Sequence, residues 1–261
     1  MNPGQFEALP IHWFYVGTAI LMILCYELGC QIGLRLQSRQ EEETQTSLGT
    51  LVGGLLGMLA FVLAFTFSMA LSQHDHRKQN VLEEANAIGT AYLRTDLIDT
   101  RHGMEVKRLL KNYVDIRLKA ALSGKDIDIA VKKSVEIHDL LWEQVAEAAL
   151  EAPTTNTSLM VQATNEVIDM HEKRVTVALH NRIPRSVWVA LAAITALTML
   201  TLGTQIGLTG KRRIITVVPL PLAFAVLITL VVDLNRPQSG LITVGQQSMV
   251  TLMENMEQAT E

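Results

Sequence analysis

Charge is scarce in this chain. Only 18% of its 261 residues are Asp, Glu, Lys or Arg, against roughly 25% in soluble domains. The formal net charge is −4, and no basic stripe runs along any segment, so nothing marks a nucleic-acid partner. Cysteine is nearly absent. Cys25 and Cys30 lie five apart in one apolar run, a poor spacing for a disulfide on a helix, and apolar packing accounts for both. Residues 1–11 contain no Lys or Arg. The apolar run that follows continues to Glu27 without a clear small-residue cleavage site, which argues for a retained span and against a signal peptide. Motifs of chemistry are missing too. There is no Gly-x-Ser-x-Gly, no Walker loop and no Cys/His cluster. His74 and His76 are two apart and cannot share one helical face, and His102, His138, His171 and His180 form no His-x-x-x-His pair. Surface or packing roles are expected for these histidines, although His76 is close enough to the stripe described below to tune it with pH. No metal site, cofactor or enzymatic activity is expected.

Hydrophobic residues make up 49% of the chain. Four apolar runs, 13–34, 48–72, 186–208 and 214–233, hold almost no charge. Each approaches the ~20 residues that an α-helix needs to cross a bilayer. The polar segment between the second and third runs carries apolar residues at three- and four-residue spacing over 102–122, 126–151 and 156–182. Ser123-Gly124 and the segment 153–156 separate these stretches as turns. No alternating strand pattern is present. The expected fold is all-α, with four transmembrane helices and a helical extramembrane domain between the second and third spans. The expected divisions are a first transmembrane hairpin (1–73), the helical domain (74–185), a second hairpin (186–234) and a C-terminal tail (235–261). Pro184 fits a bend or a helix start, and Pro219 and Pro221 should distort the first turns of the fourth span.

Four spans place both termini and the central domain on one side. The short loops on the other side carry Arg35, Arg39, Lys211, Arg212 and Arg213. Arg77, Lys78, Arg182 and Arg185 flank the spans on the domain side. Short loops count most in the positive-inside rule, which puts them in the cytoplasm and the central domain outside.

The second span has no Gly or Pro stop between Ser72 and Gly89, so its helix should project beyond the bilayer to near Asp99. One face of it is unusual. With Phe61 as the zero of rotation and about 100° per residue, Ser47, Thr50, Gly54, Gly57, Phe61, Phe65, Ser68, Ser72, Asp75, Gln79, Glu83, Asn86 and Thr90 fall within about 40° of one line. Val52, Leu56, Leu59, Leu63 and Ala70 lie opposite. A stripe of small, hydroxylated and acidic residues in lipid faces another helix or water. Gly49, Gly53 and Gly57, spaced four apart beside Gly54, suit close helix packing. Phe61 and Phe65 share the line and do not suit it. Around an oligomer axis they make an apolar constriction, with Ser68, Ser72, Asp75, Gln79 and Glu83 forming a polar ladder about 20 Å long at 1.5 Å per residue. Apolar constrictions gate by dewetting and acidic rings enrich cations. Glu27, a carboxylate inside the first run, either faces the bundle interior or snorkels with a local hydrogen bond.

Three stretches carry a resemblance: LVGGLLGMLAFVLAFTFS (51–68), EANAIGTAYLR (84–94) and DLNRPQSGLITV (233–244). The chain resembles a bacterial membrane family called bestrophin-like, with Glu84, Asn86, Asp233, Arg236, Pro237 and Gly240 as the motif residues. The resemblance implies a fold related to bestrophin channels, homopentamers with four membrane helices per subunit. Their second helix lines the pore with an apolar neck at i, i+4 and i+8. Phe61 and Phe65 match two neck positions; the third falls on Gly57, or on Met69, which is off the line. The Trp-rich segment and the acidic calcium clasp of bestrophins are missing here, so calcium gating and chloride selectivity do not carry over. Bestrophins keep the middle domain in the cytoplasm, whereas the charge count keeps this one periplasmic. The expected function is a homo-oligomeric ion channel, a tetramer or pentamer, in the bacterial inner membrane. Its partners are the lipid bilayer, further copies of itself and inorganic ions, with cations preferred. The alternative is a membrane sensor or interaction scaffold without catalytic activity.

Overall fold

The computed structural model describes residues 10–36, 42–124, 126–179, 181–210, 218–236 and 240–259. Arg39, Glu41, His180, Lys211, Arg212, Arg213 and Pro237, together with the side chains of Glu42, Glu43 and Ser47, lie outside what is described. The described residues form eight α-helices and contain no strand. In chain order these are α1 (Ile11–Leu36), α2 (Glu42–Arg94), α3 (Thr100–Ser123), α4 (Ile127–Glu151), α5 (Thr155–Leu179), α6 (Arg185–Leu208), α7 (Pro219–Asn235) and α8 (Gln247–Gln258).

Helix ends follow local chemistry. α2 runs unbroken for 53 residues and ends in a 3₁₀ turn, Thr95–Leu97. Asp99 then caps α3 by accepting from the Arg101 amide at 2.9 Å. α3 stops at Gly124, whose φ of 62° is the left-handed closing position that glycine adopts without strain. Pro184 is the residue that precedes α6, with extended dihedrals, so it starts that helix and does not bend it. Pro219 opens α7 and Pro221 follows in its first turn. Their missing amides fall where no intrahelical partner exists; the start of the fourth apolar run, 214–217, lies outside the described residues.

Three helices among the described residues are long and apolar enough to cross a bilayer: α1, the part of α2 that begins at Leu48, and α6. α7 is apolar but shorter, at 17 residues.

The chain divides into two compact units. The first comprises Met1–Ser72 and Arg182–Ile242. Its core gathers Met22, Leu59, Leu63, Leu191, Met199, Ala225 and Val231. α1 and α6 run parallel and meet backbone to backbone. A Cβ on Gly29 would strike the Leu200 carbonyl, one on Gly33 the Thr204 carbonyl, one on Gly203 the Tyr26 carbonyl and one on Gly207 the Cys30 carbonyl. Two Gly-x-x-x-Gly pairs thus do the close packing.

The second unit comprises Gln73–Asn181 and Thr243–Glu261. Its core holds Ile88, Leu109, Leu110, Tyr113, Leu141, Met160 and Val167, with Met249 and Met256 from α8. The segment set apart in the sequence as a tail therefore supplies a packed helix. Tyr92 Oη donates to the Met256 carbonyl at 3.4 Å.

Candidate functional site

The two faces of α2 differ as the rotation count requires. Val52, Leu59, Leu63, Thr66, Ala70, Arg77, Glu84, Ile88 and Ala91 are buried. Thr50, Gly53, Gly54, Gly57, Ser68, Ser72, Asp75, Gln79, Asn86 and Thr90 are exposed. Phe61 and Phe65 are 73% and 61% exposed. Among its described residues the stripe is uncovered from Thr50 to Gln79, whereas Glu83 is half-buried. Gly53, Gly54 and Gly57 have no atom within 4 Å of a built Cβ, and only Gly49 approaches a neighbour, the Gln205 amide at 3.0 Å. Within this chain the close helix contact suggested for this face is made elsewhere, by the Gly29/Gly33 and Gly203/Gly207 pairs. Those two pairs are visible in the sequence as Gly-x-x-x-Gly in the first and third apolar runs.

The lower ladder has its own pairing. Gln79 Nε2 donates to Glu83 Oε1 at 3.2 Å, and Lys173 Nζ of α5 donates to Glu83 Oε2 at 2.6 Å. The Lys173 contact, helped by Gln79, holds the Glu83 carboxyl below the usual carboxylate range. Glu27 of α1 is half-buried, and Gln31, one turn on, donates to its Oε1 at 3.5 Å.

Glu84 lies about 100° around the helix from Glu83 and has the opposite environment. It is fully buried. Arg174 Nη1 of α5 donates to its Oε2, Arg117 Nε of α3 lies 3.3 Å from its Oε1, and Tyr113 Oη of α3 donates to Oε1 at 2.6 Å. Burial opposes ionisation of this carboxyl. The two guanidiniums overcome that and, with the Tyr113 hydroxyl, keep its pKa below the usual range. Burial, followed by the Glu84 charge, pushes the Tyr113 phenol well above its ordinary value. Arg174 Nη2 also donates to Gln246 Oε1 at 2.7 Å, just ahead of α8.

Two histidines complete this network. His171 Nδ1 is 3.0 Å from Tyr113 Oη. Since that hydroxyl gives its proton to Glu84, Nδ1 must be the protonated ring nitrogen and Nε2 the bare one. The His138 ring meets the His171 ring edge to face, with centroids 4.7 Å apart. Neither Nε2 finds a hydrogen-bond partner. Burial, then the Arg117 charge, lowers His171 to about 3; burial lowers His138 to about 4. The sequence suggests surface or packing roles for these histidines and gives no sign of their part in a charged network. The missed signal is positional. His171 and Arg174 extend the α5 line of Met160, Ala163 and Val167, where an apolar residue belongs.

The third motif closes the end of α7. The Asp233 carboxylate accepts from the Leu241 amide at 3.0 and 3.1 Å and from the Ile242 amide at 2.9 Å. A Cβ on Gly240 would collide with that carboxylate, so the position requires glycine. Asn235 Oδ1 accepts from the Ile183 amide at 3.1 Å, tying the loop to the start of α6. Arg236 is buried, while Asn86 of the second motif stays exposed on the stripe.

Known proteins bear on this arrangement in three ways. A family model described as a Bestrophin-like domain matches residues 17–249. Among solved structures, a bacterial bestrophin homologue from Klebsiella pneumoniae with an Ile-to-Thr substitution superposes with a TM-score of 0.64 at 14% identity, over 96% of this chain and 98% of that one. The same homologue with a Leu-to-Thr substitution gives 0.62 at 13% identity, with the same coverage of both chains. No curated protein matches in sequence.

Proposed function

The chain belongs to the bestrophin-like family, and from that premise we propose that it is a homo-oligomeric ion channel of the bacterial inner membrane whose pore is lined by α2. One observation supports this most: a continuous stripe with Gly57, Phe61, Phe65, Ser68, Ser72 and Asp75 is left uncovered by the subunit, while the opposite line of the same helix is buried. Repeated around an axis, Phe61 and Phe65 form the dewetting gate and Asp75 an acidic ring below it. Lys173 offsets the charge of Glu83, so cation preference rests on Asp75. α7 serves as the fourth span, since 17 residues reach the lower limit for crossing. The helical unit is periplasmic, following the Lys and Arg of the short loops.

The test is flux. Purified protein in liposomes should conduct ions. Phe61→Ala and Phe65→Ala should raise the flux, and Asp75→Asn should shift the reversal potential toward anions. Intact oligomers without flux in the parent or either Phe variant would reject the gate, and an unchanged reversal potential would reject the ring. For topology, Thr154→Cys in a Cys25→Ala/Cys30→Ala background should react with an impermeant maleimide in intact spheroplasts. Labelling only after lysis would place the helical unit in the cytoplasm.

A further inference from the structure

The two halves of α5 are held by different forces. Up to Val167 the helix is fixed by apolar burial: Met160, Ala163 and Val167 lie in the core of the second unit. Beyond Val167 that anchor is gone. Among the described side chains of 168–178, His171 alone is buried. What fastens this half is polar. His171 meets Tyr113 of α3, Lys173 meets Glu83 of α2, and Arg174 bridges Glu84 of α2 and Gln246 ahead of α8. Through this half the chain leaves the second unit, at Asn181, and continues to α6.

A second proton on His171 is costly. The groups that face its ring are Glu84 from α2, Tyr113 and Arg117 from α3, His138 from α4 and Arg174 from its own helix. His138 faces the same Glu84 and Arg117, with Asp139 beside it on α4. One buried carboxylate is thus set against two guanidiniums, and a proton on either ring adds a third cation. His171 already uses Nδ1 on Tyr113, so the new proton would sit on Nε2. Neither Nε2 has a hydrogen-bond partner, and a buried charge without one is strongly disfavoured. Closed, the rings titrate at about 3 and about 4, with burial the chief cause; set free in water, they titrate near 6.5. We propose that residues 168–179 form an acid-released latch: in mild acid this half of α5 opens about a hinge at Val167, drawing His171 out of the cluster and uncovering His138, while the apolar half stays packed. Protons select the open form. Between pH 7.5 and 5.5 each histidine set free multiplies the opening equilibrium by about ten. Glu83 and Glu84 are held below their ordinary 4.5 and keep their charge over this range, so the histidines alone supply the dependence. The latch does not depend on whether the α2 stripe conducts ions.

Hydrogen exchange on the full-length protein in lipid nanodiscs tests it, read as protection factors corrected for the intrinsic rate at each pH. At pH 7.5 the amides of 172–179 should be less protected than those of 160–167, and low urea should change them little, the mark of a local opening. From pH 7.5 to 5.5 their protection should fall about a hundredfold, a factor of about ten for each histidine. His171→Gln keeps a donor toward Tyr113 and should leave a fall of about tenfold. His138→Gln/His171→Gln should leave none. A single protection factor with one urea slope across both halves of α5 would overturn the proposal, because the unit would then open as a whole. An undiminished fall in the double variant, or no fall in the parent, would overturn it too.

Discussion

Acid should loosen the helical unit well before it discharges the carboxylates. His138 and His171 are neutral when folded, with values lowered to about 4 and about 3 by burial. In the unfolded chain both titrate near 6.5. Between those values the unfolded state binds protons that the folded state refuses, so stability falls as pH falls. At pH 5.5 each histidine costs about 1.4 kcal/mol, one pH unit below the unfolded value, and the pair about 2.7 kcal/mol. Glu83 and Glu84 are shifted the other way, below 4.5. Their contribution is present above that value and is lost only on further acidification, so the window from pH 6.5 to 5.0 isolates the histidines. The assay is urea unfolding followed by the fluorescence of Trp142 on α4, with Trp13→Phe and Trp188→Phe removing the other two tryptophans. The free energy should drop by about 2.7 kcal/mol from pH 7.5 to pH 5.5. A His138→Gln/His171→Gln variant should lose that dependence. A flat profile in the parent, or an equal drop in the double variant, would refute the buried-neutral assignment.

Other outcomes follow from single contacts. Glu84→Ala leaves Arg117 and Arg174 facing each other in the core, and should cost about 3–5 kcal/mol in the same urea assay; Glu84→Gln, which restores hydrogen bonding but not charge, should cost less. Gly207→Val drives a side chain into the Cys30 carbonyl and should destabilise the protein in detergent by about 1–3 kcal/mol or more, read as a lower melting temperature, while Gly57→Ala, with open space around it, should leave the melting temperature unchanged. Asp233→Ala strips two amides, Leu241 and Ile242, of their acceptor, and should speed hydrogen exchange at 240–243 while leaving the α6 amides beyond their first turn unchanged.

Local and periodic features were legible in the sequence. The apolar runs, the long second helix and the three helical stretches between spans depend on spacing within one segment, and the residues supply that spacing directly. The glycines show where this stops. Gly53 and Gly57 carry the same motif as Gly203 and Gly207, yet only the latter are packed within the subunit. Which motif finds a partner is decided by a second helix, and no periodicity in the first encodes it. Glu84 is the sharper case. Its carboxylate is matched by Tyr113, Arg117 and Arg174, with His171 behind Tyr113, all more than 25 positions away in the chain. Each sits on an ordinary helical line, and only the fold converts four isolated polar residues into one network. Asp233 and Gly240 formed a motif without a mechanism until the loop brought the carboxylate against the glycine backbone.

The central claim is that the uncovered face of α2 lines an oligomer axis. A cysteine pair on that helix measures it most directly, with Cys25 and Cys30 replaced by alanine. Phe61→Cys should cross-link between subunits at high yield on oxidation of membranes. Leu59→Cys, on the buried line, should not. Cross-linking at Leu59 and none at Phe61 would contradict the claim and place the stripe against lipid.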